Sequence, residues 1–476
     1  MTTLALSNKI CLKARLARDA RFDGLFFVGV KSTGIYCRPI CPATSPKESN
    51  VVYFGSAIEA ANTGLRPCLR CHPDSAPGSP AWIGTETSFR RAMQLIDQGA
   101  LQHHSTEQLA ERLGISDRYL RQLFQNYIGI SPKAYALYQQ CLFAKQLLHN
   151  TDLSITHIAL ASGFNSIRRF NDCFKKNFAL SPSNIRRRQT DDHQHGCQLT
   201  LFYRPPFDWP HMHRFLSHRI IPSLEWITDT GYGRTFQLTL ADNDNVQGQF
   251  EISPIEGKHA LQLTLEINQP KYTMLIVNKI KPLFDLNINS VEIDKQLGQV
   301  LSKSLIKPGI RIPGVWSLFE AGVRAILGQQ VSVKAAHNLV TQVVDHLGET
   351  RSNHKKLFPT PEKLAESDLS FLKMPGRRKT SLIEFAKWHL THSNEIDTDS
   401  SVLNDITQIK GIGPWTLNYL KLRGVKDPDI WLGDDLGVKN ALRDHQLQIN
   451  PDKAAPWRSY LTFQIWDFLS RNISKP

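Results

Sequence analysis

The chain lacks any run of eighteen consecutive apolar residues, so no segment suits a helix that spans a bilayer. Its first residues lack the basic start, apolar stretch and small-residue cleavage site of a secretory signal. A soluble protein of the cytoplasm, with no membrane partner, is the expectation. Cysteine is sparse, with eight in 476 residues. In a reducing compartment these read as metal ligands or buried thiols, which excludes a disulfide scaffold. Cys11, Cys141, Cys173 and Cys197 fit no ligand spacing and read as buried or incidental thiols. Acidic residues are scarce at one end only. Residues 1–190 hold 24 Lys and Arg against 12 Asp and Glu, and the remainder holds 33 against 31. The formal net charge of +14 therefore sits almost wholly in the first part, which suits a polyanion bound with steep salt dependence. The second part must hold its ligand by shape and local chemistry.

A chain of this length has room for three or four domains with full cores. Residues 75–80, Ser-Ala-Pro-Gly-Ser-Pro, read as a linker. A second linker, polar and rich in histidine, covers 189–196. From Cys197 the pattern alternates apolar and polar, as over 198–203, 235–240 and 259–267, which is strand-like and predicts a small antiparallel sheet ending near Asn278. After Leu283 the pattern is helical, with Pro and Gly breaks at 308–314, 359–361, 375–376 and 411–414.

Four of the cysteines carry the strongest signal. Cys37, Cys41, Cys68 and Cys71 form C-x3-C, then 26 residues, then C-x2-C, a spacing that can close a tetrahedral thiolate zinc site. Arg38, Arg66 and Arg70 crowd the quartet, more positive charge than a structural knot needs. That charge points to an anion, and DNA phosphate is the candidate. The words Ser32-Thr33-Gly34-Ile35-Tyr36-Cys37-Arg38-Pro39 and Arg66-Pro67-Cys68-Leu69-Arg70-Cys71 resemble the N-terminal domain of Ada-type methylated-DNA repair and response proteins. The resemblance implies one zinc ion on four thiolates. It also implies that Cys37 takes a methyl group from a DNA phosphotriester and keeps it, thiolate being the nucleophilic form. The family often places a basic residue soon after the second cysteine. Here Pro42-Ala43-Thr44 follows, and Lys47 is the nearest substitute.

Residues 85–188 are helical in pattern and repeat internally. Leu109-Ala110 and Gly114 answer Ile158-Ala159 and Gly163 after 49 residues; Phe124 answers Phe174 after 50. A small residue, a turn glycine and an apolar second helix make the helix-turn-helix pattern, with recognition helices starting near Ser116 and Asn165. Two such units joined by a helix over about 133–149 resemble the AraC-type regulator domain. The resemblance implies that Arg118 and Arg121, then Arg168 and Arg169, meet successive major-groove segments of a promoter.

The second strong signal is Gly411-Ile412-Gly413-Pro414-Trp415-Thr416, with Asp434-Asp435 beginning 19 residues after Trp415. A G-x-G turn ahead of a helix presents backbone N–H groups to a phosphate. With Phe207-Asp208-Trp209, Ile312-Pro313-Gly314, 324–329 and 456–460, it resembles the AlkA-type 3-methyladenine DNA glycosylase II over about 197–472. The resemblance implies a helix-hairpin-helix grip through Gly411 and Gly413, whose loop carbonyls can also hold a monovalent cation. It further implies Asp435 as the catalytic carboxylate and Trp415, Tyr419 and Trp466 as an aromatic pocket for a cationic base. Asp434 reads as structural or as a helix cap. Gln330 stands where the family can carry a leucine wedge; it fills space and can hydrogen-bond the orphaned base, but is a poorer apolar wedge. Lys410 replaces a common proline.

The expected fold is multidomain and mainly α. It comprises an α+β zinc domain (1–76), an AraC-type double helix-turn-helix (85–188), an antiparallel α/β domain of the AlkA N-terminal kind (197–282) and an all-α helix-hairpin-helix glycosylase core (283–476). No Pro-Cys-His-Arg segment of the second Ada methyl acceptor occurs, so repair of O6-methylguanine by that route is not expected. The expected function is a sensor and repair enzyme in one chain, acting on alkylated and promoter duplex DNA at the nucleoid. RNA polymerase is an expected further partner, and a monomer the expected state. One rival is a regulator whose glycosylase half is only a DNA clamp, against which Asp435 argues. The other is a glycosylase with a nonspecific tether, against which the cysteine quartet and the duplicated unit argue.

Overall fold

A computed structural model describes residues 7–18, 22, 26–41, 43–55, 57–68, 70, 71, 73, 85–97, 99–151, 153–186, 197–240, 244–351, 354–398 and 400–473. Both linkers lie outside the described residues. The chain forms two compact units, Met1–Tyr135 and Ala136–Pro476, so the division falls inside the helix that joins the two helix-turn-helix units.

In the first unit, strands Val51–Phe54, Phe27–Val30, Ile35–Cys37 and Arg66–Pro67 lie in that order in one sheet. The first three are antiparallel, while Arg66–Pro67 runs parallel to Ile35–Cys37. Phe27, Tyr36, Phe54 and Ala60 form one small core; Cys11, Ala14, Phe26 and Val28 form another against helix Asn8–Ala17. Arg15, buried, donates to Glu48 at 2.6 Å and to Ser45 at 2.8 Å, which ties that helix to the loop after Cys41.

The first helix-turn-helix pairs Thr106–Arg112 with Asp117–Ile128. Ser105 and Gln108 form a reciprocal capping box, Ser116 caps the recognition helix, and Gly114 turns between them at φ 68°. Helix Pro132–Asn150 follows. In the second unit, Ile155–Ala161 and Ile167–Phe178 repeat the motif with caps Ser154 and Ser166. Ala179 takes the left-handed position that Gly129 takes in the first copy.

The larger sheet is antiparallel throughout, in the order Cys197–Phe202, Ala260–Ile267, Asn245–Pro254, Tyr232–Thr239, Glu225–Ile227. Two of these strands, Asn245–Pro254 and Glu225–Ile227, are additional to the segments read from the sequence. The edge strand is not bare: the Gln146 side chain donates to the Thr200 carbonyl at 2.5 Å. The second helix-turn-helix shares one apolar core with this sheet, from Cys141 and Phe174 through Leu199 and Leu263 to Trp316. Covering an edge removes a template for unwanted strand pairing. The buried pair Arg234–Glu320 (2.8 Å) and the pair of half-buried Arg324 with buried Glu225 (2.9 Å) fasten the sheet to helix Leu318–Leu327. Two further cores fill the helical part, and the candidate site lies at the edge of one of them.

Candidate functional site

Parallel pairing of Ile35–Cys37 with Arg66–Pro67 sets the first centre. The Cys68 N–H donates to the Tyr36 carbonyl at 3.0 Å, which brings the two cysteine pairs together. The ligand sulfurs of Cys37, Cys41, Cys68 and Cys71 all lie within 4.8 Å of one another. Hydrogen bonds from Cys37 and Cys71 pull the Cys41 thiol down to about 2, and the same contact with Cys41, first among its causes, pushes Cys37 up. Four sulfurs this close cannot all be anionic unless a cation sits among them. The donor set, four thiols of tetrahedral reach, fits zinc.

Cys68 and Cys71 are buried, whereas Cys37 and Cys41 are half-buried. Cys37, Cys41 and Cys68 open on a cleft that Arg18, Arg66 and Arg70 also line. Arg66 and Arg70 are exposed. Arg38 turns inward: it is 4% exposed, its guanidinium donates to the Cys71 carbonyl, and its backbone N–H donates to Cys71 Sγ at 3.3 Å. Lys47 is exposed at the start of the turn Glu48–Asn50.

On the recognition helices, Arg118, Arg168 and Arg169 are exposed. Arg121 is exposed too, but its guanidinium is held by Asp117 at 2.7 Å and Glu107 at 3.3 Å.

The second centre surrounds Asp435. This residue, not Asp434, caps helix Leu436–Asp444: its Oδ1 accepts from the Val438 N–H at 3.2 Å. Asp434 is exposed and pairs with Lys439 at 2.8 Å. Adjacent aspartates cannot both occupy the cap, and the backbone turn selects the second. Two indoles complete the grip on the carboxylate. Trp466 Nε1 donates to Oδ1 at 3.0 Å and Trp415 Nε1 donates to Oδ2 at 3.2 Å. Trp415 stacks on Tyr419 with centroids 5.3 Å apart. Gly437 keeps the carboxylate accessible, since a Cβ there would lie 3.0 Å from Asp435 Oδ1.

The last helix, Arg458–Ile473, carries Trp466 and is anchored by the next residue. Asp467 accepts from His211 Nδ1 at 2.8 Å and meets Arg471 at 2.7 Å. Burial pushes Asp467 up, but the hydrogen bond and charge of His211, with Arg471, hold it below its ordinary value.

Gly411 turns at φ +92°, and a Cβ there would meet Ser381 Oγ at 2.5 Å. Ser381 donates to the Lys410 carbonyl at 2.7 Å; Gln329 donates to the Gly411 carbonyl at 2.9 Å and to Thr416 at 2.8 Å. Gly413 is the extended residue before helix Pro414–Leu420, and no side chain caps that helix. Gln330 is exposed with φ +54°.

Two cations beside the aromatic cluster of Trp415 and Tyr419 were not read from the sequence. Arg219 lies 3.8 Å over the Phe215 ring, and Arg423 donates to the Tyr419 hydroxyl at 3.1 Å. Burial first, then Arg423 and Arg324, lowers Arg219 to about 10, while Tyr419 and Asp435 act the other way. The four-residue step from Tyr419 to Arg423 was a helical signal; nothing local marks Arg219.

The chain matches three family models: the metal binding domain of Ada over 10–74, a helix-turn-helix domain over 109–188 and the AlkA N-terminal domain over 198–317. It is 33% identical to DNA-3-methyladenine glycosylase 2 of Escherichia coli, over 56% of this chain and 96% of that one. It is 31% identical to the bifunctional transcriptional activator/DNA repair enzyme AdaA of Bacillus subtilis, over 37% of this chain and 80% of that one. It is 31% identical to the probable bifunctional transcriptional activator/DNA repair enzyme AlkA of Mycobacterium tuberculosis, over 98% of this chain and 97% of that one. Matched at 31% identity over 98% of its length, and over 97% of the relative's, by that bifunctional protein, the chain belongs to the family of bifunctional transcriptional activator/DNA repair enzymes.

Proposed function

We propose that this chain excises alkylated purines from duplex DNA and also takes methyl groups from DNA phosphotriesters onto Cys37. The observation that carries the first half is the fixed carboxylate of Asp435, held by Trp415, Trp466 and the Val438 N–H. A purine methylated at N3 or N7 already carries positive charge, so its departure needs little acid. The bond from N9 to the anomeric carbon breaks with its electron pair leaving on the base. Positive charge then rises on the sugar, and a preorganised carboxylate stabilises it. Water adds to the anomeric carbon and releases one proton. The base must leave the stack to reach this site, where Trp415, Tyr419 and Trp466 favour a cationic ring.

At the first centre, Cys37, Cys41, Cys68 and Cys71 would hold zinc, which keeps sulfur deprotonated at neutral pH. The Cys37 sulfur attacks the methyl carbon, an S–C bond forms, and the C–O bond breaks onto the phosphate oxygen to leave an ordinary phosphodiester. Arg66 and Arg70 are exposed beside the cleft to draw the backbone in; Arg38 serves the knot from inside. Methylation removes one negative charge facing DNA, which strengthens promoter binding by the helix-turn-helix units. In this reading RNA polymerase is a downstream partner and the chain acts as a monomer in the cytoplasm, at the nucleoid. Among the described residues no helix is long and apolar enough to cross a membrane.

A monovalent cation on the hairpin carbonyls belongs to the same proposal. The Lys410 and Gly411 carbonyls already accept from Ser381 and Gln329, and each keeps a second lone pair. The test of the enzymatic half is release of 7-methylguanine and 3-methyladenine from methylated duplex. Asp435→Asn must abolish release while DNA binding persists; unchanged release would remove Asp435 from the mechanism.

A further inference from the structure

We infer that Leu436 is the apolar contact that holds the duplex open beside the extruded nucleotide, a task Gln330 can meet only through its amide. The inference rests on the reading of Asp435 given above. Consecutive Cα atoms are about 3.8 Å apart, so a sugar whose anomeric carbon reaches the Asp435 carboxylate brings DNA within reach of the next residue. That side chain is Leu436, the first residue of its helix and 72% exposed, the highest value among the exposed large apolar residues described. Its neighbours offer nothing similar. Asp434 is exposed and charged, and Gly437 has no side chain.

The opposite loop is polar and fixed. Gln329 is tied to Gly411 and Thr416, and Gln330 is held in the left-handed region that glutamine rarely adopts. Such a loop presents an exposed amide, suited to hydrogen-bonding the base left without a partner. An amide is a poor filler for the apolar gap between stacked bases, whereas a leucine loses its exposure there and gains the transfer free energy of a buried side chain. The two roles are thus divided between a loop and the start of a helix.

The test uses the full chain and a duplex carrying 3-deaza-3-methyladenine, which is not cleaved, beside 2-aminopurine, whose emission rises on unstacking. Single-turnover release of 7-methylguanine, binding to undamaged duplex and thermal melting are followed in parallel. Leu436→Ala is expected to lower the extrusion equilibrium and the single-turnover rate roughly tenfold, with melting and undamaged-DNA binding unchanged. Leu436→Met should stay within about twofold of wild type, as another flexible apolar side chain fills the same gap. Gln330→Ala should cost less extrusion than Leu436→Ala. Wild-type extrusion by Leu436→Ala, in a protein that releases bases normally, overturns this inference alone. A wild type that neither extrudes nor releases bases takes the Asp435 reading down, and this inference with it.

Discussion

The indole N–H of Trp466 donates to Asp435 Oδ1 at 3.0 Å across 31 residues of chain, so the ring proposed to line the base pocket also aims the carboxylate. Trp466→Phe separates the two roles, keeping an aromatic face and deleting the donor. A hydrogen bond to a charged group is worth about 1.5–3 kcal/mol, so the single-turnover rate should fall roughly ten- to a hundredfold. Rapid-quench measurement of 7-methylguanine release checks this; a rate within twofold of wild type would show that the bond is idle.

Gly437 faces the same carboxylate. A methyl group there would lie 3.0 Å from Asp435 Oδ1 and 3.7 Å from Trp466 Nε1, so the carboxylate must shift. Gly437→Ala should lower kcat about tenfold and leave affinity for undamaged duplex intact, because catalysis depends on sub-ångström placement where phosphate contact does not. Parallel kcat and binding measurements distinguish this from general loss of fold.

Zinc should be structural for the first domain and irrelevant to the second centre. The small cores around Phe27 and Phe26 hold few large side chains, too few to order the domain alone. A strong chelator, or Cys68→Ser, should expose residues up to about 74 to protease and abolish methyl capture. Base release should continue at the wild-type rate.

Lys426 is a built-in cost near neutrality. Burial first, then the charge of Lys279 with Arg423, lowers it to about 7, with Asp285 opposing. Between about pH 7 and pH 10.4 the unfolded chain holds a proton that the folded chain has released, so this residue makes stability rise with pH across that window. Lys426→Met should therefore raise Tm at pH 7, with the gain fading by pH 10. Melting curves at the two pH values check the sign.

The metal quartet was legible because ligand spacing is a short-range constraint, and Cys37 to Cys71 fall where the sheet register closes them. The recognition helices were legible through Ser116, Gly114 and their counterparts, since caps and turns act over a few residues. Strand Asn245–Pro254 was harder. Gly248 interrupts its apolar alternation, and the reason is tertiary: a Cβ there would strike Glu266 and the Phe236 ring. From the sequence alone the structural or capping role falls to Asp434; the backbone turn puts Asp435 in the cap and leaves Asp434 exposed. Arg219 acts on Tyr419 and Asp435 from the turn after helix Trp209–Ser217, more than two hundred residues before Asp435, so no local pattern could announce it. The seating of the joining helix on the sheet edge, through Gln146 and Thr200, was equally invisible, because side-chain contacts 54 residues apart leave no periodicity.

The most direct test gives wild type, Cys37→Ala and Asp435→Asn the same duplex carrying radiolabelled methyl groups, and follows released base and protein-bound label together. The account predicts that wild type shows both signals, that Cys37→Ala loses only the protein label, and that Asp435→Asn loses only base release. A wild type showing neither signal would contradict it, leaving a regulator assembled from repair domains.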